Sequence, residues 1–335
     1  MVMIRPFRAL RYAGDRVGGL ERVVAPPYDV ISDEERDALY ERSDCNVVRL
    51  ILGREEDRYA AAAEALARWR EDGTLVRDDE PALYYYEEEF TLPNGGRHTR
   101  RGVLATVEIQ PFSAGVIRPH ERTFARAKKD RMALLRACRT NLSPIFGLFA
   151  ESPDVLEPLR AARAASASVE LTDGNGWRHR MWMIEDEAAQ AAVASALADE
   201  TVFIADGHHR YETALEYRDF VDASGDHPPG APHRYILMYL TSMREPGLLV
   251  LPTHRVLGAG VAIEADDLLG RLEPHFSIQR FARNDLASLH AHLAEVPEEA
   301  RFAVAFRGRD EIFALGLRDA AVPSTVPEEQ LRLLT

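Results

Sequence analysis

The stretch that most constrains the fold of this chain is residues 203–217, which read FIADGHHRYETALEY. An apolar run ends at Asp206, Gly207 follows, and a helical pattern begins at once, which predicts a buried strand, a tight turn and a helix. A helix N-terminus carries unpaired backbone N–H groups and a partial positive charge, so it attracts phosphate. Gly207 permits close approach of a ligand, and Arg210 can bind an anion through two hydrogen bonds. The pattern favours an anion-binding turn over a capped helix with a solvated first turn.

The composition limits the classes of function. Of 335 residues, 46% are hydrophobic and 28% charged, which is typical of a globular protein with one large or two ordinary domains. The net charge of −13 argues against bulk attraction to nucleic acid or an anionic membrane. The N-terminal residues lack the long apolar region of a signal peptide, and no run is long enough to span a membrane. We expect a soluble, cytoplasmic protein that acts on a small molecule, with no membrane or nucleic-acid partner.

Local patterns predict several elements. Ser32 and Glu35 have the spacing of a capping box, so a helix should begin at about Asp33. Two β-rich runs flank Asn94-Gly95-Gly96, which predicts a hairpin. An apolar helical face runs from Tyr59 to Trp69. The predicted fold is therefore α+β with a mixed sheet.

From about residue 260 the pattern alternates helix, strand, helix, strand, strand. This predicts a separate C-terminal α+β lobe at 259–335 after a core domain at 1–258. The last residues, VPEEQLRLLT, read as the start of another element with no stop signal, so we expect the lobe to be truncated.

A second polar constellation lies in residues 115–135, GVIRPHERTFARAKKDRMALL. His120 and Glu121 follow a proline in a predicted loop, a pairing that suits acid/base chemistry or a divalent ion. Asp130 is predicted to be the N-cap of the next helix. The basic residues of the stretch predict either a phosphate-binding patch or a solvated loop: Arg118, Arg122, Arg126, Lys128, Lys129 and Arg131.

Two further motifs leave a structural turn and a substrate contact equally open. Tyr28 and Asp29 lie in the loop before the helix at Asp33, within APPYDV. His254 and Arg255 end an apolar run predicted to be a strand, where sites collect in α/β folds. The P-loop, the G-x-G-x-x-G fingerprint, the G-x-S-x-G elbow and H-E-x-x-H are absent from the sequence.

Six motifs in order resemble a prokaryotic family of unknown function, number 1015 in the domain-of-unknown-function series. They are APPYDV, RPHERT, KKDRMALL, NLSPIF, ADGHHRYETAL and LPTHR. The DGHHR turn is also similar, more distantly, to the phosphate-binding turn of the ParB/sulfiredoxin superfamily, and it looks closest to that of the free-serine kinases. The resemblance implies a ParB/sulfiredoxin-like core.

The kinase resemblance implies a role for each residue of the turn. Gly207, His209 and Arg210 would hold phosphate, while Asp206 and His208 would face the transferred group. Glu121 is our candidate for the catalytic base and for a metal ligand. His120 and Thr123 are assigned to the phosphate donor.

The leading hypothesis is a kinase-like phosphotransferase that acts on a hydroxyl compound such as free serine, with Mg²⁺ and a nucleotide or another phosphate donor. Tyr28, Asp29, His254 and Arg255 would contact the acceptor. One alternative is a nucleotide-binding regulatory module without turnover, and another is a phosphatase or nucleotide hydrolase. A metal-dependent role for His120, His208 and His209 is weaker, because adjacent helical histidines point about 100° apart.

Overall fold

A computed structural model describes residues 1–92, 95–121, 125–249, 254–258, 263–295 and 301–318. Its residue contacts divide the chain into two compact units, Met1–Val250 and Leu251–Thr335. The fold is mixed α+β, as the sequence predicted. In the described part of the chain, no helix combines the length and the apolar character needed to cross a bilayer.

The strands, in chain order, are β1 (Ile4–Arg5), β2 (Leu10–Tyr12), β3 (Leu75–Arg77), β4 (Leu83–Thr91), β5 (Arg97–Glu108), β6 (Ile117–Arg118), β7 (Ile145–Phe149), β8 (Val169–Thr172), β9 (Arg178–Ile184), β10 (Val202–Asp206), β11 (Tyr235–Ser242), β12 (Phe276–Ala282), β13 (Arg301–Ala305) and β14 (Glu311–Leu317). The helices are α1 (Gly14–Val17), α2 (Asp33–Arg42), α3 (Val48–Ile51), α4 (Arg58–Glu71), α5 (Ala125–Cys138), α6 (Glu157–Ala162), α7 (Glu187–Leu197), α8 (His208–Asp222), α9 (Ala265–Leu272) and α10 (Leu286–Ala294).

The first unit is built on a mixed sheet to which nine strands of the described chain contribute. Eight of them run in the order β6-β10-β7-β11-β5-β4-β9-β8, and β1 pairs with β5. Most neighbours are antiparallel, but β10 is parallel to β6 and β11 is parallel to β7. The parallel pairs bring loops that are distant in sequence to one edge of the sheet.

The main core lies on one face of this sheet. Val103, Ala105 and Val107 alternate along β5 and are fully buried, as the two-residue period of a half-buried strand requires. They pack in one cluster with apolar residues of α7 and α8, including Val193 and Tyr211. A second cluster is formed by α3, α4 and α5 around the buried Trp69.

Ion pairs also hold the sheet together through what we term the glutamate network, formed by Glu87, Glu88 and Glu245 with their arginine partners. All three carboxylates are buried. Glu87 lies 2.7 Å from Arg163 and 3.0 Å from Arg180. Glu88 pairs with Arg100, and Glu245 lies 3.1 Å from Arg101. Because a buried carboxylate is costly without a partner, the arginines are structural counterparts of these glutamates.

Several elements predicted from local patterns are confirmed. Helix α2 begins at Asp33, and Ser32 and Glu35 make the reciprocal hydrogen bonds of a capping box. Strands β4 and β5 form the predicted hairpin, although Pro93 and Asn94 at its tip lie outside the described residues. Gly95 has a φ of 86°, which a glycine adopts without strain.

Two local predictions were wrong. Helix α5 begins at Ala125, so Asp130 lies inside the helix and is not its N-cap. There its carboxylate accepts hydrogen bonds from Tyr59 (2.8 Å) and Arg58 (2.5 Å) of α4. A strand was also predicted around residues 247–254, but residues 247–249 are not in a strand, and 250–253 lie outside the described residues.

The second unit has its own small fold. Strands β12, β14 and β13 form a three-stranded antiparallel sheet. Helix α10 contributes the buried Leu289, which packs with Ile312 and Ala314 of β14. The helix, strand, helix, strand, strand order predicted for this region is confirmed in the described residues.

Candidate functional site

Two short parallel strands bring the two polar constellations together. Residues Ile117 and Arg118 of β6 pair with Val202 and Phe203 of β10. The carboxyl ends of parallel strands lie at the same end of a sheet. The residues that follow each strand therefore become neighbours. The loop with His120 and Glu121 therefore lies beside the turn at Asp206 and Gly207, and the register between β10 and β7 shifts just before that turn.

The contact between the two loops is a histidine–glutamate pair. The His208 side chain, in the first turn of α8, is only 1% exposed, and its Nδ1 lies 3.0 Å from Glu121 Oε1. The other ring nitrogen, Nε2, accepts a hydrogen bond from the backbone N–H of His120 at 3.3 Å. Because Nε2 is an acceptor, a neutral His208 carries its proton on Nδ1, toward the carboxylate.

Nδ1 of His208 lies close to Glu121 but does not form a hydrogen bond with it. The angle of this contact does not meet hydrogen-bond geometry, and Nδ1 has no hydrogen-bond partner among the described residues. Burial lowers the pKa of His208, the negative charge of Glu121 opposes this effect, and the neighbouring His120 adds to it. His208 is therefore neutral near pH 7, and its N–H faces a carboxylate that is 54% exposed.

A second histidine supports the first. His120 Nδ1 lies 2.6 Å from the carbonyl oxygen of Ile204 in β10, so it donates a hydrogen bond there. Its ring meets that of His208 edge to face, with centroids 4.5 Å apart. These contacts fix the loop after β6 against the end of β10, which sets the position of Glu121.

The predicted phosphate-binding turn has the expected backbone but an unexpected arginine. Gly207 precedes α8 with a φ of 96°, in the left-handed region that favours glycine. Arg210 folds back over Gly207, pairs with Asp206, and donates to the carbonyl oxygen of Pro144. The arginine is thus paired within the chain, while the Asp206 side chain remains 50% exposed.

Tyr211 anchors the first turn of α8. Its hydroxyl donates to the carbonyl oxygen of Gln110 at 2.7 Å and accepts from the N–H of the same residue at 3.0 Å. Its ring, which is fully buried, stacks on Phe112. Tyr211 was predicted only as a helical residue, and no pattern in the sequence indicates its partner about 100 residues away.

Tyr28 is brought close to the turn. The guanidinium of Arg131 lies 4.0 Å from the centroid of its ring. Burial raises the pKa of Tyr28, and the positive charges of Arg131 and Arg210 oppose that shift. Asp29 is exposed at the neighbouring position. The loop before α2 therefore lies on the Arg210 side of the turn.

The basic stretch is largely paired. Lys128 lies 2.9 Å from Glu212 and 3.3 Å from Glu216 of α8, and Arg131 pairs with Asp130. Arg118 donates to a backbone carbonyl. Arg122 and the side chain of Arg126 lie outside the described part of the structure. Where its residues are described, the stretch mainly joins α5 to its neighbours.

The remaining predicted residues are less informative. His209 is half-buried at the second position of α8. Thr123 lies outside the described residues. His254 and Arg255 are exposed and belong to the second unit, and their assignment to the substrate stays a prediction.

The acidic side chains and histidines near the turn determine whether a metal ion can bind there. Among the described residues, no group of three or more His, Cys, Asp or Glu side chains is arranged to hold one. Mg²⁺ commonly needs only one or two carboxylates and takes its remaining ligands from phosphate and water. Glu121 and Asp206 are half-exposed carboxylates that can serve in this way.

Comparison with known proteins identifies the family. The model of the family described as "Protein of unknown function (DUF1015)" matches residues 4–331. The chain belongs to this family. No curated protein and no solved structure matches it. The family assignment confirms the resemblance of the six motifs, whereas the similarity to the ParB/sulfiredoxin superfamily is not shown.

Proposed function

We propose that this DUF1015 protein is a small-molecule phosphotransferase, which moves a phosphoryl group to the hydroxyl of an acceptor such as free serine. The phosphate donor is a nucleotide or another phosphorylated compound bound with Mg²⁺. The reaction takes place at the turn between β10 and α8. The single observation that carries the proposal is the pair of His208 and Glu121 beside the N-terminus of α8.

The pair has the properties of a general base held by a buried orienting group. Glu121 is half-exposed, so an acceptor can reach its carboxylate, and Nδ1 of the buried His208 lies 3.0 Å from Glu121 Oε1. A base must lie within hydrogen-bond reach of the proton that it removes, and its orientation must be fixed. His208 accepts a hydrogen bond from His120 at Nε2 and lies beside Glu121 at Nδ1, so it can provide that orientation.

The turn supplies the other requirements of phosphoryl transfer, which are positioning and neutralisation of charge. The first N–H groups of α8 point out of the helix and can bind phosphate oxygens. In this proposal His209 adds a donor, His120 supports the site from its hydrogen bond to Ile204, and Arg210 exchanges one of its internal partners for phosphate. Asp206 and Glu121 hold Mg²⁺, and Tyr28 and Asp29 contact the acceptor.

The proposed step transfers one phosphoryl group from the donor to the acceptor. The hydroxyl oxygen of the acceptor forms a bond to the phosphorus of the donor, and the bond from phosphorus to the leaving group breaks. The hydroxyl proton passes to Glu121, and the leaving group departs with the electron pair of the broken bond. His208 keeps its proton throughout, so it acts as a positioning residue.

The test is to incubate the protein with serine, Mg²⁺ and, in separate reactions, ATP, ADP or pyrophosphate, and to measure phosphoserine by mass spectrometry. We expect phosphoserine with at least one donor. Glu121→Gln should lower the rate about a hundredfold or more, since general-base catalysis contributes about that much. The matched control is Glu151→Gln, which makes the same change at an exposed glutamate.

Three other outcomes of this experiment would each lead to a different conclusion. Release of inorganic phosphate without phosphoserine would indicate a hydrolase. Nucleotide binding without turnover would indicate a regulatory module. Unchanged phosphoserine formation in Glu121→Gln would remove this residue from the mechanism.

A further inference from the structure

A cavity of about 680 Å³ lies in the first unit, apart from Asp206, Gly207 and His208. Part of its floor is formed by Leu104 and Thr106 of β5. These residues alternate with the core residue Ala105, so the floor is the face of the sheet turned away from the main core. Tyr217 of α8 forms part of one wall.

The charge of the lining is opposite to that of the chain. Among the described residues, five arginines line the cavity and no aspartate or glutamate does, although the net charge of the chain is −13. They are Arg8, Arg11, Arg70, Arg77 and Arg139. Arg11 pairs with Asp78, and Arg8 donates to the backbone carbonyl of the same residue. An excess of one charge at a cavity concentrates ligands of the opposite charge.

The other three arginines have no such partners in the part of the chain that the structure describes. Arg70, Arg77 and Arg139 are exposed, and none forms an ion pair or hydrogen bond through its side chain with a described residue. An unpaired guanidinium keeps its donors for a ligand and can bind phosphate through two parallel hydrogen bonds.

Arg139 is also unusual in its backbone. It follows the last residue of α5 with a φ of 47°, and within the described ranges it is the one residue other than glycine with a positive φ. This position after a helix normally holds glycine or asparagine, because a Cβ is unfavourable there. Strained residues of this kind collect at functional sites, and here the strained residue is an arginine that lines the cavity.

Most of the rest of the lining is apolar or aromatic. It includes Phe7, Met181, Tyr217, Tyr235 and Leu237. Cavities of several hundred Å³ with an apolar interior and a few polar groups are typical binding sites for small molecules. The arginines suit an anionic group, and the aromatic and aliphatic surface suits a planar body.

We propose that this cavity binds a phosphorylated small molecule with a planar body, the chemical class of nucleotides. The proposal concerns binding alone and holds whether or not the turn at Gly207 transfers a phosphoryl group. Leu135, Thr140 and Asn141 line both this cavity and a smaller one that Arg210 lines. The two sites are therefore neighbours that can be tested separately.

The test is isothermal titration calorimetry of the full chain with ADP, adenosine and pyrophosphate as separate probes. We expect ADP to bind more tightly than either adenosine, which lacks the anionic group, or pyrophosphate, which lacks the planar body. Arg139→Gly and Arg77→Gln should each weaken ADP binding about tenfold, the loss expected for one charged contact. Arg97→Gln is the matched control, since that side chain is 80% exposed on the β4–β5 hairpin.

Arg139→Gly separates lost binding from lost folding. Glycine adopts the backbone of this position without strain, so the melting temperature of the variant should not fall. Because Arg77 and Arg139 line this cavity and are not residues of the turn, a loss of ADP affinity in their variants assigns the binding to this cavity. No binding of ADP, or unchanged ADP affinity in both arginine variants, would overturn the proposal. Pyrophosphate binding as tight as that of ADP would overturn the assignment of a planar body.

Discussion

The glutamate network and the His208–Glu121 pair lie in the same unit and differ in the burial of their carboxylates and in the charge that these carboxylates face. In the network every buried carboxylate faces at least one arginine, and Glu87 faces two within 3.0 Å. In the pair a buried ring nitrogen lacks a hydrogen-bond partner among the described residues, and the carboxylate beside it is half-exposed. The network also contains buried nitrogens without a hydrogen-bond partner among the described residues, Arg100 Nε and Arg180 Nε, so the difference lies in the carboxylates. A buried carboxylate that faces a full counter-charge is a structural group, whereas a half-exposed carboxylate beside a histidine can receive a ligand.

The largest effect should come from breaking the network. Glu87→Ala removes the counter-charge of Arg163 and leaves Arg180 paired with Glu89 alone, so we expect the free energy of unfolding to fall by about 3 kcal/mol. Urea denaturation measures this change. Glu157→Gln is the control, because it removes an exposed pair with Arg160 and should leave stability nearly unchanged. An equal loss of stability in both variants would show that the buried ion pairs of the network contribute no more than an exposed ion pair.

A smaller loss of stability is expected at the turn. Gly207→Ala places a Cβ about 3.1 Å from the guanidinium of Arg210, at a φ of 96°. The backbone strain should cost about 1–2 kcal/mol, and the displaced Arg210 should lower activity more than stability. Gly174→Ala is the control, because a Cβ there has no neighbour within 4 Å. If activity survives intact, the close contact of Arg210 with Gly207 is not needed for function.

The smallest effect concerns pH. Burial lowers the pKa of His208, so the unfolded chain takes up a proton at this residue more readily than the folded chain. Stability from this group is therefore present above the unfolded pKa of about 6.5 and declines as the pH falls toward the lower folded value. His208→Gln should show a weaker loss of stability between pH 7 and pH 5 than the wild type.

Urea denaturation of both proteins across this pH range measures the difference. His290→Gln, at an exposed histidine, should keep the wild-type profile. Identical profiles for all three proteins would mean that His208 is as easily protonated in the folded as in the unfolded chain.

Local patterns predicted much of the fold because local energies determine those features. The capping box at Ser32 and the glycine before α8 each act within a few residues. The order of the strands depends on pairings between distant segments, and β6, with two residues, has no pattern of its own. The sequence therefore identified both loops of the site as candidates. The contact of Glu121 with His208 depends on the pairing of β6 with β10, which local patterns do not predict.

The arginines were the least predictable part. Arg210 and Asp206 are four residues apart, a spacing that allows a pair when both lie near one helical turn, yet Arg210 was assigned to phosphate alone. The cavity draws Arg8, Arg70 and Arg139 from separate segments. No periodicity links them, so only the three-dimensional structure brings their charges together.

Tyr211 has a consequence for the energetics of binding. Its two hydrogen bonds to Gln110 hold the start of α8 in place, whereas helix ends that lack such bonds fray. A ligand that binds the first N–H groups of α8 does not have to order them, so less of its binding energy is lost to conformational entropy. Tyr211 thus makes the turn a preorganised site, although its own hydroxyl bonds to the backbone of Gln110, away from the turn.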